Sequence, residues 1–467
     1  MGSQIASLVL VFFAQRIILT TLTQEDNGTL FLQRRMTELF VGLIADFGMN
    51  GILLRRATQH PERRIEIIAS ALWLRIALWT ASTLVVVGYV VASGGPVTDV
   101  LTWAFFLLIA SRTTLLRYTL EVQERAASRF TLPSLVAVLD AVLFFVAIYA
   151  FRHHCTPSSV ILIFFLTAIP GFILVSTIGR GQALRPSLAR MQEMRTLLAE
   201  SLPMLIFIVI WGFQDKIDAA IVEMFVDRAG VGVLGAAYTT LGPVVSLLPQ
   251  TLALVALPEI SRLMISNKEQ AVSLTQALLR TTLLITTLIA GVTAVLLPLY
   301  MHFVSGSRYL DSELIFVLFA WTAPGLGILV FIQEILVAMG RQKDAIWIAV
   351  GMLICTVAGG FLVVPGFQVV GSVVVKLTAT YVGATIALVI LFRVTKGASG
   401  AGMWIRGLLV VALMAGAYVL TRAESMSLLT SVLVMVFVSV VGAMGLGMGK
   451  AYNWQQIRNV FLRSRRT

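Results

Sequence analysis

Residues 158–179 read SSVILIFFLTAIPGFILVSTIG, and residues 180–195, which follow them, read RGQALRPSLARMQEMR. The first stretch is 22 residues long and holds no charged side chain, enough helix to cross the roughly 30 Å hydrocarbon core of a bilayer. The second places Arg180, Arg185, Arg190 and Arg195 in one connection against a single acid, Glu193. A span-length apolar run closed by an arginine-rich connection is the repeating unit of a polytopic membrane protein, because Lys and Arg gather in cytoplasmic loops.

The unit recurs along the whole chain. Apolar runs bounded by charges, Gly or Pro predict spans near 3–22, 29–52, 66–92, 98–116, 132–151 and 158–179. A second set follows near 202–224, 231–257, 277–303, 313–339, 345–364 and 369–392, and two more lie near 404–421 and 427–448. The expected fold is therefore all-α, with about fourteen transmembrane helices arranged as two six-helix lobes plus two C-terminal helices. The expected boundaries are an N-terminal lobe over 1–180, a cytoplasmic linker over 181–198 and a C-terminal lobe over 199–393. Two additional helices over 394–449 and a basic tail over 450–467 complete the chain. Composition agrees: 58% of residues are hydrophobic, 12% are charged and the mean hydropathy is +0.92. Soluble domains run about 45–50% apolar and about 25% charged.

Charge placement tests the segmentation independently. Alternate connections collect about 25 of the 35 Lys and Arg residues, among them Arg55, Arg56, Arg63, Arg64, Arg112, Arg117, Arg262, Arg341 and the tail from Lys450. The intervening connections hold only Arg152, Arg228, Arg308 and Arg422. Both termini are thus expected in the cytoplasm. The net charge of +12 is scattered between apolar runs, not gathered on one arm, which argues against a nucleic-acid partner. Cys155 and Cys355 lie far apart without a CxxC, so no disulfide framework or metal knuckle is indicated, and no cofactor is expected. Met1–Leu22 has no basic leader and carries Arg16 within its apolar run, so it reads as a first span that is retained.

The two sets of six spans look related. Leu120–Arg125 (LEVQER) and Leu336–Arg341 (LVAMGR) each close a fourth span, and Gly28 and Gly232 occupy comparable places, which suggests a parallel repeat. Other short patterns occur in a telling order: Asp46-Phe47-Gly48-Met49 before Arg55-Arg56; Gly232 with Tyr238, then Pro258 before Ser261-Arg262; Gly306 with Tyr309; Gly340-Arg341 with Lys343; and Pro365-Gly366 with Gly371. Over residues 5–393 this series resembles the polysaccharide and O-antigen flippases of the multidrug/oligosaccharidyl-lipid/polysaccharide exporter superfamily, the MATE-like fold. Arg34-Arg35 inside the second span and the two C-terminal helices depart from the family pattern. The resemblance implies two lobes that alternately open a central cavity to each side of a bacterial inner membrane. It also implies an undecaprenyl-diphosphate-linked oligosaccharide as cargo, moved to the outer leaflet for cell-surface polysaccharide synthesis. Membrane lipids, and polymerase or ligase machinery, are the implied neighbours.

Flipping needs no bond chemistry, but a charge at bilayer depth costs roughly 2.5–3.5 kcal/mol on insertion scales. Fixed cations lower that cost for an anionic headgroup. Arg16, Arg34, Arg35, Arg75, Lys216 and Lys376 lie inside predicted spans. Arg16 and Lys216, at similar depths in the first and seventh spans, form the leading candidate pair for a diphosphate, against the reading that Lys216 pairs with Asp215 and Asp218 or that Arg16 snorkels. Glu38 can absorb one of Arg34 and Arg35 within the helix, leaving Arg35 as the candidate. Arg75 is within snorkelling reach of its span end, and Lys376 has no evident sequence partner. Trp211, near Lys216, could stack on sugar. Asp140, Asp215, Asp218 and Glu334 are candidates for ion coupling or for pairing with these cations; Asp46 reads as part of a helix-end junction. Pro324 with Gly325 and Gly327 marks the tenth span as a hinge.

Two other classes remain open. A cation-coupled multidrug antiporter would keep the fold but need carboxylates to dominate its site. A polyprenyl-sugar-dependent glycosyltransferase or polymerase would need large outward loops with a convergent acid, base and nucleophile, and the outward connections here are short. The expectation is a transporter, not an enzyme.

Overall fold

The computed structural model describes residues 2–41, 47–92, 115–126, 129, 131–178, 181–305, 308–338, 341–395, 400–424 and 426–445. Among these residues there is no strand; the chain is an all-α membrane protein. The helices are α1 (Gly2–Thr21), α2 (Gln24–Val41), α3 (Met49–Gln59), α4 (Arg64–Ala92), α5 (115–126), α6 (Thr131–Ala150), α7 (Pro157–Ile178), α8 (Met191–Phe225) and α9 (Arg228–Ser266). They continue as α10 (Lys268–Ser305), α11 (Glu313–Ala320), α12 (Ala323–Ala338), α13 (Gln342–Thr395), α14 (Gly400–Ala423) and α15 (Leu428–Gly445). Six described segments are long and uniformly apolar enough to cross a membrane, and a seventh counts if α8, bent by 53° between Leu202 and Leu205, is one span.

The chain forms two compact units. One comprises Met1–Glu223 with Asp227–Gly235, so it includes α8 and the first two turns of α9; the other comprises Met224–Val226 and the chain from Ala236 onward. In the first unit α1 packs on α6, and Ala14, Ile18 and Leu22 meet Ile148, Val160 and Ile163. A second core joins α3, α4, α5, α6, α7 and α8 through Leu53, Ile67, Leu72, Val122, Val136, Val175 and Leu197. The predicted second span at 29–52 is not one helix: Phe47 (φ 48°) and Gly48 (φ 69°) turn the backbone left-handed before α3 starts at Met49. Only glycine takes that conformation without cost, which is what Gly48 supplies to the Asp46-Phe47-Gly48 motif; Asp46 itself lies outside the described residues.

In the second unit α10 is the central element, packed by α11, α12, α14 and α15. Its glycine Gly291 receives Met414 of α14 and Met435 of α15, and Thr286 seats against Gly327 of α12. The 54 residues of α13 are a helical hairpin: Gly351 meets Ile386, Met352 meets Gly383 and Gly359 meets Val375, so its two limbs run antiparallel. The reversal lies at Pro365–Gln368, where Gln368 has φ 51° and ψ −136°. These limbs are the two spans predicted at 345–364 and 369–392. In the tenth span, α11 ends at Ala320 and α12 starts at Ala323, next to Pro324. Gly325 and Gly327 serve close packing there, against Thr380 and Thr286.

Candidate functional site

Charged side chains within predicted spans need partners, and in the first unit those of α2 and α8 find each other. Residues 34, 35 and 38 lie on neighbouring faces of α2 because successive residues turn by about 100°. Arg34 Nε donates to Glu38 Oε1 at 2.8 Å, the i,i+4 pair legible from sequence. The other carboxylate oxygen, Oε2, accepts from Lys216 Nζ of α8 at 2.8 Å. Arg35 points instead to the adjoining residue of α8: its Nη1 donates to Asp215 backbone O at 2.7 Å and to Oδ2 at 3.0 Å. Lys216 Nζ lies 3.8 Å from that same Oδ2, which joins the two pairs into one five-residue network.

The members differ in access. The Arg35 side chain is 9% exposed and its guanidinium lies 4.9 Å from the Phe31 ring centroid, so it is sealed by an ion pair and an aromatic face. Arg34 is 52% exposed, Glu38 35% and Lys216 16%. Asp218 is buried one turn further along α8 and accepts a hydrogen bond from the N–H of Ala219. Three cations thus touch two carboxylates, with a third carboxylate buried nearby. Trp211, one turn before Asp215, is half-buried and stacked on Phe207 at 5.9 Å between centroids. Arg16 is half-buried on α1.

The other candidates lie elsewhere. Asp140 is paired to Arg117 of α5, a residue that the sequence placed in a cytoplasmic connection; Arg117 also reaches Glu121 at 3.2 Å. Gly171 of α7 makes room for that pair, since a Cβ there would lie 2.5 Å from Asp140 Oδ1. Arg75 does not snorkel: it is 1% exposed and donates to Asn50 Oδ1 at 2.6 Å and to Thr119 Oγ1. The helices α3 and α5 close over it and supply oxygens that water would otherwise provide. In the second unit Lys376 Nζ lies 5.4 Å from the ring centroid of Tyr238, whose edge meets Phe319 at 4.7 Å. The Glu334 side chain lies outside those described, as do Gly306, Gly340 and the basic tail. No group of three or more His, Cys, Asp or Glu that could hold a metal occurs among the described residues.

A second ionic network was hidden among the arginines read as topology determinants. Arg56 bonds Glu193 at 2.8 Å and Glu200 at 2.6 Å, Arg63 bonds Glu193 at 2.5 Å, and Arg190 bonds Glu66 at 2.6 Å. With Arg190 N–H donating to Ser70 Oγ, this fastens residues 181–200 to α3 and α4.

No protein-family model matches the chain, and no curated protein matches it. Solved structures do. A lipid II flippase MurJ in an inward closed conformation is 14% identical, over 94% of this chain and 97% of that one, with a TM-score of 0.73. An inward-facing multidrug resistance MATE family transporter of the MOP superfamily is 13% identical, over 84% and 96%, with a TM-score of 0.67. A MOP superfamily transporter from Pyrococcus furiosus, described as having a binding pocket of reverse polarity, is 12% identical, over 88% and 95%, with a TM-score of 0.53. At these identities the likeness is one of fold: the chain has the MATE-like fold of MOP-superfamily transporters.

Proposed function

We propose that the chain is a flippase that carries a polyprenyl-diphosphate-linked oligosaccharide from the cytoplasmic to the outer leaflet of a bacterial inner membrane, by alternating access, with both termini cytoplasmic. The observation that carries this reading is the α2–α8 network. Arg34, Arg35 and Lys216 are gathered in one place, where Arg34 and Lys216 share a single, partly exposed carboxylate. Guanidinium and ammonium groups at that spacing suit a phosphate, which accepts from a fork and a point charge together. The likeness of the fold to a lipid II flippase supports a lipid-linked cargo. Movement of the headgroup then needs only fixed charges and a path for water, which is why no catalytic constellation is invoked.

A second reading has its own observation. Asp218, buried on the same face region of α8, gives the cluster as many carboxylates as cations, which suits a cation-coupled multidrug antiporter. Purified protein in proteoliposomes separates the two. Transbilayer movement of a fluorescent undecaprenyl-diphosphate oligosaccharide should require the protein and fall at least tenfold in Lys216→Ala. Uptake of a cationic dye driven by a sodium or proton gradient, with no movement of any polyprenyl-linked glycan, would replace the flippase with the antiporter.

A further inference from the structure

We infer that Glu38 is a built-in counter-anion, holding the place that a cargo phosphate takes on Arg34 and Lys216, so that cargo binds by displacing it; this rests on the transport reading above. Glu38 uses one carboxylate oxygen for each cation, both at 2.8 Å, and so bridges two helices as a single phosphate group would. A phosphate presents two oxygens at nearly the same spacing, with more charge behind them. Among the carboxylates of the network, Glu38 is the one placed to leave. Asp215 is tied to Arg35, which also grips the Asp215 backbone carbonyl and is closed in by Phe31. The two carboxylates are equally exposed, at about one-third, but both bonds of the Glu38 carboxylate go to side chains, and its partner Arg34 is half-exposed where Arg35 is 9% exposed.

The arrangement answers a problem that any empty carrier of anions faces. Two cations left bare at bilayer depth would carry an uncompensated charge through every return step. An internal carboxylate neutralises them while the site is empty and yields to a polyanion of higher charge. Its presence also sets the affinity: each cargo must compete with a tethered anion, which weakens binding and speeds release.

Calorimetry of inorganic pyrophosphate binding to the purified full chain in detergent tests this. Glu38→Gln keeps the shape and removes the charge, and is expected to bind pyrophosphate at least tenfold more tightly than the wild type. Unchanged or weaker binding by a Glu38→Gln protein that melts within a few degrees of wild type overturns the inference. If that variant does not fold, Glu38→Asp decides: one methylene shorter, it reaches one cation at a time, and about threefold tighter binding is expected. Wild-type affinity in Glu38→Asp then overturns it. The two layers fail separately. Wild-type transport of a polyprenyl-linked glycan with no gain of affinity in either variant removes the counter-anion alone. A wild type that neither binds pyrophosphate nor moves any such glycan removes the flippase reading.

Discussion

Arg34 and Arg35 are neighbours in the chain with different tasks, and the difference comes from the turn of one helix. Arg35 faces α8 and is itself buried, although its partner Asp215 keeps 36% of its side chain exposed, whereas Arg34 stays half in the open beside Glu38. Removing Arg35 takes away a buried guanidinium's bonds to the Asp215 carboxylate and backbone carbonyl and its contact with Phe31, while an exposed pair is worth little. Arg35→Leu should therefore cost about 2 kcal/mol of stability, read as a melting temperature several degrees lower, and combining it with Asp215→Asn should cost less than the two changes added. Arg34→Leu should change stability by less than about 0.5 kcal/mol while still slowing transport. Equal destabilisation by Arg34→Leu and Arg35→Leu would mean that the two share one role. From the sequence, the Arg34–Glu38 pair was readable because i,i+4 spacing is local. Lys216–Glu38 and Arg35–Asp215 were not, because which faces of α2 and α8 meet is decided by packing, some 180 residues apart. The same reason hid Arg117 behind Asp140 and Asn50 behind Arg75.

Element boundaries were legible wherever Gly and Pro break an apolar run, and obscure where the break is only a backbone angle. Pro365-Gly366 separated the two limbs of α13 correctly, but Phe47-Gly48 gave no sign that the backbone of the second span turns left-handed there. Gln368 carries the left-handed turn of the hairpin without being glycine, a strain on the order of 1 kcal/mol. Gln368→Gly should raise the melting temperature by a few degrees and Gln368→Val should lower it; the reverse order would place the strain elsewhere. A tighter constraint joins α2 to the first turns of α9. A Cβ on Gly28 would sit 1.8 Å from Arg228 O, and one on Gly232 would sit 1.8 Å from Gln24 O, while Asn27 Nδ2 donates to Gly232 O at 2.8 Å. Two backbones in contact leave no side chain to yield. Gly28→Leu or Gly232→Leu should abolish recovery of folded protein or push α2 and α9 apart, read as lost transport and lost protection of Asn27-neighbouring amides from exchange. The sequence had marked both glycines, as equivalents in a repeat; their packing against each other's helices is what the structure shows of them.

At the scale of the whole chain, the number of crossings decides which residues share a side of the membrane. Between the connection at 181–190 and the one at 424–427 the structure places α8, α9, α10, the broken α11–α12 span, the two limbs of α13, and α14. If each of the seven crosses, as the proposed topology requires, the two connections face opposite compartments, with the arginine-rich first one in the cytoplasm. The all-α, many-span architecture was legible from composition because hydrocarbon imposes it on any polytopic chain, whatever its cargo. Ser187 and Met426 are both exposed and lie in these two connections. In a background with Cys155→Ser and Cys355→Ser, a cysteine at position 426 should react with a membrane-impermeant maleimide in intact cells. One at position 187 should react only after permeabilisation. Labelling of both positions from the same side would make the number of crossings between them even, so that one of these seven segments fails to cross. Labelling with the sides exchanged would keep the count and reverse the orientation, moving the basic connections outward and turning the proposed direction of transport around with them.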